Sequence, residues 1–148
     1  MKPGENEQAG PITDFLVKDH GRLEGLLQSA VAHAGAVDQG TYDQFRAGLL
    51  RHIGMEEKIL LPAAQRLRGG APLPIAAKLR LDHGAIASLL MPPPSAAVIA
   101  TIRTVLKVHD TIEEGLGGLY ETCDALAGSE AAQLLRRYNM KKSSEVEA

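Results

Sequence analysis

The chain has few residues of the kinds that cross-link a protein or add aromatic mass to its core. One cysteine, Cys123, among 148 residues excludes an intrachain disulfide framework and a zinc finger built from cysteines. Tryptophan is absent, and there are two phenylalanines and three tyrosines, although 45% of the residues are hydrophobic. Leucine, alanine, isoleucine and valine must therefore form the core, and this composition favours helices packed on helices.

An excess of charge of one sign and a long hydrophobic run are also missing. The formal net charge of −2 provides no basic field, which argues against nucleic acid or an anionic membrane as the main partner. No apolar run approaches the ~18 residues of a membrane span, and the N-terminus is polar rather than signal-like. We therefore expect one cytoplasmic domain without a membrane segment, and the sequence identifies no protein partner.

Two stretches place a histidine four residues ahead of a glutamate: His52 before Glu56, and His109 before Glu113. On a helix, the two side chains of each pair leave the same face about one turn apart. One imidazole and one carboxylate in this arrangement form half of a metal site. Two such pairs on facing helices would form most of a two-metal site.

A lone histidine precedes each of these pairs. Segment 16–27, with an Asp-His-Gly triplet and a closing Leu-Leu, aligns without gaps with segment 79–90. The histidines of the two triplets, His20 and His83, fall with leucines on the apolar face of a predicted helix. The chain therefore contains the same unit twice, and its four histidines can meet in one layer of the core.

The pattern of apolar stripes and breaks predicts an all-α fold. Four long helices are expected to begin near Pro11 to Thr13, Thr41, Pro74 and Ser95, with Thr13 or Asp14, Thr41 and Ser95 as caps. Their short connections predict an up-down-up-down four-helix bundle, followed by a short C-terminal helix at about Ser129 to Tyr138. We expect the bundle over residues 12–140, after a flexible N-terminus at 1–11 and before a disordered tail at 141–148.

The polar residues on the apolar stripes favour a metal site. A buried carboxylate without a counter-charge is costly, and no lysine or arginine lies on these stripes to supply one. Imidazole and carboxylate suit iron, manganese or zinc, and the lack of thiolates removes the softer metals. If each glutamate bridges, each metal receives two histidines and two carboxylate oxygens and keeps positions for a small ligand. The predicted metal ligands are His20, His52, Glu56, His83, His109 and Glu113.

Three further acidic residues lie near the predicted ligands. Glu24 lies one turn after His20, but its repeat partner is Ala87, so a position at the polar rim is preferred over a ligand role. Asp19 and Asp82 each precede a predicted ligand. Either they orient a neighbouring histidine or they are solvated.

Four other residues are expected to lie outside the metal layer. Glu57 and Glu114, which follow the two predicted bridging glutamates, should be on the surface. His33 lies thirteen residues past the first lone histidine and faces elsewhere. Cys123 is expected to be a small buried hydrophobe rather than a redox group. For the glycines after Glu114, fraying or close packing is preferred over a gating role.

The order of the six predicted ligands resembles the hemerythrin-like, or HHE cation-binding, family over roughly residues 12 to 127. This resemblance implies two irons, oxo- or hydroxo-bridged, inside a four-helix bundle with the two glutamates bridging them; manganese or zinc is the alternative. Oxygen-carrying hemerythrins have a second histidine on the third helix, where this chain has Ala87. The set of four histidines and two glutamates is more similar to the two-fold symmetric members, which include iron–sulfur-cluster repair proteins.

Two classes of function remain open at this point. The first is a binding or sensing module whose di-iron site holds dioxygen or nitric oxide. The second is an enzyme that decomposes peroxide or delivers iron for cluster repair. A ferritin-like site would need Glu-x-x-His, which is the reverse order at a shorter spacing, and the His-Glu-x-x-His motif of zinc proteases is absent. No nucleophile–base pair is recognisable, so an organic reaction has no support.

Overall fold

The computed structural model describes residues 9–31 and 35–147, with side chains placed through residue 139. Within these residues all the regular structure is helical. The helices are α1 Pro11–Ala30, α2 Gln39–Met55, α3 Leu61–Leu67, α4 Ala76–Leu89, α5 Ala96–Glu114, α6 Leu119–Ala127 and α7 Ala131–Glu147. A π-helical segment, Glu56–Leu60, joins α2 to α3, and a 3-10 turn, Gly128–Glu130, joins α6 to α7. The predicted flexible N-terminus falls mainly on residues 1–8, outside the described residues.

Four helical stretches, namely α1, α2 with α3, α4, and α5, form the predicted up-down-up-down bundle. One hydrophobic cluster joins the C-terminal halves of α1 and α4 to the N-terminal halves of α2 and α5, through residues such as Leu27, Ile86, Phe45 and Ile102. A second cluster joins the opposite ends of the first three stretches and includes α6 and α7. This alternation of ends is the packing of antiparallel neighbours. The all-α fold class is therefore confirmed.

The caps of the second and fourth long helices follow local signals. Ser95 caps α5 as predicted, and its Oγ accepts a hydrogen bond from the Val98 backbone N–H at 3.1 Å. The cap of α2 is Asp38 rather than Thr41. Its carboxylate accepts from the Thr41 backbone N–H at 3.0 Å, so this helix begins two residues earlier than expected, at Gln39.

The cap of α1 comes from the far end of the chain. Gly10 is the N-cap residue and offers no side chain. The Asp124 carboxylate, on α6, accepts hydrogen bonds from the Ile12 and Thr13 backbone N–H groups at 2.9 Å each and from the Thr13 hydroxyl at 2.6 Å. Neither Thr13 nor Asp14 caps this helix, so that prediction is wrong. Asp124 satisfies two of the free N–H groups of the first turn and ties α6 to α1.

The C-terminal part contains more helix than the sequence predicts. In place of one short helix at about Ser129 to Tyr138, α6 and α7 both pack on the bundle. The backbone of α7 continues through Glu147, whereas the sequence favours a disordered tail from residue 141. No helix among the described residues is long and apolar enough to cross a membrane.

A tight turn between α5 and α6 uses the glycines that follow Glu114. Gly117 has a φ of 71°, a conformation that favours glycine. A Cβ at Gly118 would lie 2.5 Å from the carbonyl oxygen of Ile112. Close packing, one of the two explanations considered from the sequence, therefore accounts for Gly118. The turn starts α6 at Leu119 and brings Tyr120 into the core, where it is fully buried.

Candidate metal centre

The six predicted ligands meet in one polar layer between the two hydrophobic clusters. All six are buried. Their donor atoms form two sets of four, and within each set all the atoms lie within 4.8 Å of one another. Both sets contain Glu56 and Glu113. We name the two sets after their histidines, as the His20–His52 position and the His83–His109 position.

Glu56 opens the π-helical segment directly after α2. Its Oε2 lies 3.1 Å from His52 Nε2, and its Oε1 lies 3.0 Å from His83 Nε2, so the carboxylate faces both positions. Glu56 Oε1 is buried without a hydrogen-bond partner among the described residues. A buried oxygen beside an imidazole nitrogen, with no hydrogen bond between them, fits a site where a cation joins the two. Single π-helical turns are frequent at functional sites.

Glu113 has the corresponding place on α5. Its Oε1 lies 3.3 Å from His20 Nε2, and its Oε2 lies 2.9 Å from His109 Nε2. Burial acts to raise the pKa of Glu113, but hydrogen bonds with three histidines outweigh it and hold that pKa well below its usual range. Each glutamate therefore directs one oxygen to each position, and Glu113 remains ionised in the core.

Each histidine is oriented by a carboxylate from the neighbouring helix, bound to its Nδ1. The partners are Glu114 for His20 at 2.5 Å, Asp19 for His52 at 2.8 Å, Glu57 for His83 at 2.7 Å, and Asp82 for His109 at 3.2 Å. We call these four acidic residues the carboxylate ring, because their contacts run from α1 to α2, on to α4, on to α5 and back to α1. A proton kept on each Nδ1 leaves Nε2 free to bind a metal.

The carboxylate ring settles one expectation from the sequence and adds a role to two residues expected on the surface. Asp19 and Asp82 orient histidines, which was one of the two alternatives considered for them. Glu57 and Glu114 were expected on the surface. Their side chains are one-third exposed, at 33% each, but they also hold histidines. The available signal was their place in the repeat, since each follows a predicted bridging glutamate.

The buried carboxylates raise the pKa of the histidines, most clearly those of His52 and His83. Burial opposes the charge on His52, but Glu56 and a hydrogen bond with Asp19 outweigh it and raise the pKa of His52 to about 10. Burial likewise opposes the charge on His83, and the nearby carboxylates of Glu113 and Glu56 raise its pKa to about 10. The protons on these histidines compensate the two buried carboxylates. A metal cation would take over that role and displace them.

Tyr120 is the residue in this layer that the sequence did not reveal. Its hydroxyl donates to Glu56 Oε2 at 2.5 Å and lies 3.0 Å from Glu113 Oε1. It also lies 2.9 Å from His20 Nε2 and 3.0 Å from His52 Nε2. Burial, together with the charge of Glu56, raises the pKa of Tyr120 well above its usual value. The tyrosine contacts every member of the His20–His52 position.

A comparison with known protein families finds a match over most of the first half of the chain and the start of its second half. The family model described as the hemerythrin HHE cation-binding domain matches residues 11–91. The chain belongs to the hemerythrin HHE family. The match includes four of the six predicted ligands, whereas His109 and Glu113 lie beyond it. No curated protein and no solved structure matches. Membership implies cation binding, and the buried histidine–glutamate layer could hold a metal.

A groove between α1 and α5 of this hemerythrin domain reaches the His20–His52 position. Its volume is about 740 Å³, and it is lined by His20, Glu24, Arg103, Asp110 and Glu114 among others. Asp110 Oδ1 lies 3.3 Å from His20 Nε2, and burial raises the pKa of Asp110 to about 6. Asp110 was not among the residues predicted from the sequence. With His20 and Glu114, it forms a third set of donor atoms within 4.8 Å of one another.

The remaining candidates lie away from the donor sets. Glu24 is at the rim of the groove, where its carboxylate pairs with Arg103 at 2.8 Å, and it belongs to none of the donor sets found among the described residues. Cys123 is buried, and burial raises the pKa of its thiol to about 12, as expected of a hydrophobic core residue. His33 lies outside the described residues.

Proposed function

We propose that this hemerythrin-family protein binds two iron ions, one at each position, and that the pair binds or reacts with dioxygen, nitric oxide or peroxide. The observation that carries the proposal is the placement of the two shared glutamates. Glu56 and Glu113 each direct one carboxylate oxygen to each pair of histidines. Carboxylates placed in this way can hold two cations side by side.

The donor set supports iron. Two imidazole nitrogens and two carboxylate oxygens at each position suit iron, with manganese or zinc as alternatives. Bound iron would supply open coordination positions and one-electron redox chemistry. The chain contributes the carboxylate ring, which holds each imidazole with Nε2 directed into the layer.

Access to the layer supports a small molecule as the physiological ligand. Of the six predicted ligands, His20 alone lines the groove between α1 and α5, and it is only 7% exposed. A diatomic molecule or peroxide is small enough to pass such a contact. The groove also permits repeated exchange of reactant and product, so peroxide decomposition stays the second candidate. A cytoplasmic location also remains a prediction.

The test begins with metal content. Protein loaded anaerobically with ferrous iron and freed of excess metal should contain two irons per chain by elemental analysis. A matched acid at the groove rim provides the control, because Glu24→Ala should keep both irons. A maximum of one iron in the unmodified protein would refute the paired site.

The second step separates binding from catalysis. Loaded protein is mixed in turn with dioxygen, nitric oxide and peroxide, and the absorption spectrum is followed in time. A stable adduct that is reversed by removing the gas would support a binding or sensing module. Many turnovers of peroxide per site would support the enzyme.

A further inference from the structure

The repeat that duplicates the predicted ligands does not duplicate Tyr120. His109 lies 57 residues after His52, and Tyr120 lies 57 residues after Ala63. A phenol therefore occurs on one side of the layer where the corresponding residue of the other copy carries a methyl group. Tyr120 contacts both histidines of the His20–His52 position.

The contacts of Tyr120 have the spacing of a metal ligand. Metal–ligand bonds of about 2.1 Å place neighbouring corners of an octahedron roughly 3.0 Å apart. The Tyr120 hydroxyl oxygen lies 2.9 and 3.0 Å from the two histidine Nε2 atoms, and 2.5 and 3.0 Å from the carboxylate oxygens of Glu56 and Glu113. An oxygen at these distances has the spacing of a fifth ligand of an octahedral site whose other four ligand atoms are the two histidine nitrogens and the two carboxylate oxygens.

The backbone around Tyr120 holds the phenol in this place. The glycine turn after α5 starts α6 one residue before Tyr120, and Gly118 allows this close approach. One turn later, Asp124 anchors α6 to the start of α1 by three hydrogen bonds. Tyr120 is fully buried in the resulting pocket. A tyrosine with a purely structural role needs one hydrogen-bond partner. The Tyr120 hydroxyl instead has four potential metal-ligand atoms around it, two imidazole nitrogens and two carboxylate oxygens.

We propose that Tyr120 is a ligand of the iron at the His20–His52 position. The inference rests on the proposed two-iron function and makes the two irons unlike, with five protein ligands at one position and four at the other. When ferric iron binds, the phenol O–H bond breaks and the oxygen keeps the electron pair for the iron–oxygen bond. The proton leaves to water and no electron is transferred. The position with four protein ligands, His83–His109, is then the more open one for a small molecule.

The experiment uses the absorption of ferric phenolate. Full-length protein is loaded with two ferrous ions, oxidised with ferricyanide and freed of the oxidant. Visible absorption and resonance Raman spectra are then recorded. A charge-transfer band with enhanced tyrosine ring vibrations is expected for the unmodified protein. Tyr120→Phe should keep two irons and lose both signals.

The other two tyrosines serve as matched controls. The chain has three tyrosines, and Tyr42→Phe and Tyr138→Phe should each keep the band. These two variants assign the band to Tyr120 by elimination even if Tyr120→Phe does not fold. A two-iron protein without phenolate vibrations would overturn the inference, as would a Tyr120→Phe variant that keeps them. A phenolate signal from protein that holds one iron would instead overturn the two-iron function and leave Tyr120 as a ligand.

Discussion

The two proposed metal positions come from the same repeated unit, yet their surroundings differ. The His20–His52 position has the Tyr120 hydroxyl within 3.0 Å of its donor atoms and Asp110 3.3 Å from His20. The residues that correspond to these two in the other copy of the repeat are Ala63 and Ile53. Duplication thus accounts for the predicted ligands, whereas the residues that differ between the copies give each position its own environment.

Removal of a shared glutamate should abolish the difference by emptying both positions. Glu113→Ala deletes one oxygen from each donor set, and it leaves the nearby histidines without their main counter-charge. Iron content measured after anaerobic loading should fall from two per chain to nearly none. Glu24→Ala, in the groove rim, should retain two. Full iron content in Glu113→Ala would show that this residue does not bridge.

Removal of one histidine should separate the positions. His109→Ala leaves the His20–His52 position with its own histidines and Tyr120, so about one iron per chain should remain. His52→Ala leaves a position without a tyrosine and should retain less iron, measured by titration with a chromogenic chelator. His33→Ala should change neither metal content nor reaction with small molecules. A greater loss of iron in His109→Ala than in His52→Ala would contradict the proposed difference between the two positions.

The carboxylate ring should tune the two positions by different amounts. Asp19→Asn weakens the orientation of His52, and Asp82→Asn that of His109. Losses of metal affinity of roughly 10- to 100-fold are typical for such partners. We expect the larger loss for Asp19→Asn, because its contact is 2.8 Å against 3.2 Å. Competitive zinc titration measures both affinities, and unchanged values would show that the ring does not support the metal.

Protonation should affect the two positions alike. The pKa values of His52 and His83, one histidine from each position, are raised from 6.5 to about 10 in the folded protein. A raised folded-state pKa contributes stability that is fully present below pH 6.5 and is lost as the pH rises through 10. The Tm of metal-free protein should therefore fall, by roughly 5 to 10 °C between pH 6.5 and 9.

The metal-loaded protein should show the opposite trend. Metal binding displaces the histidine protons, so affinity rises with pH over the same range. Differential scanning calorimetry of metal-free and zinc-loaded protein should show a gap in Tm that widens from pH 6.5 to 9. A constant gap would indicate that the histidines are neutral before metal binds.

The smallest effect is expected at the groove. Glu24→Ala should keep two irons and change the rate of reaction with nitric oxide by less than about threefold, because Glu24 is exposed and paired with Arg103. Stopped-flow absorption measures that rate. A tenfold change would identify the groove beside the His20–His52 position as the main route to the metals.

The bundle, and the meeting of the six predicted ligands in one buried layer, could be inferred from the sequence because both depend on local spacing. A histidine four residues before a glutamate fixes a shared helix face, and the repeat fixes how many such faces occur. Short connections then determine which helices are neighbours. Family membership agrees with this part of the prediction.

The remaining features depend on contacts between distant segments. Tyr120 reaches the layer through a glycine turn and a helix that the sequence did not predict. Asp124 caps α1 by accepting a hydrogen bond from the backbone N–H of Ile12, which lies 112 residues earlier in the chain. Local capping signals cannot reveal such a partner, since any free acidic residue brought there by the fold could take its place.

The carboxylate ring has a consequence for symmetry. Its two aspartate contacts stay within one copy of the repeat, and its two glutamate contacts join one copy to the other. The copies therefore meet as the two subunits of an isologous dimer would, each giving its glutamate to the lone histidine of the other. A chain in which the second copy is replaced by the first would keep all four contacts and would lack Asp110 and Tyr120. Such a chain would have two equivalent positions. The asymmetry of the natural chain therefore comes from residues that are absent from the first copy of the repeat.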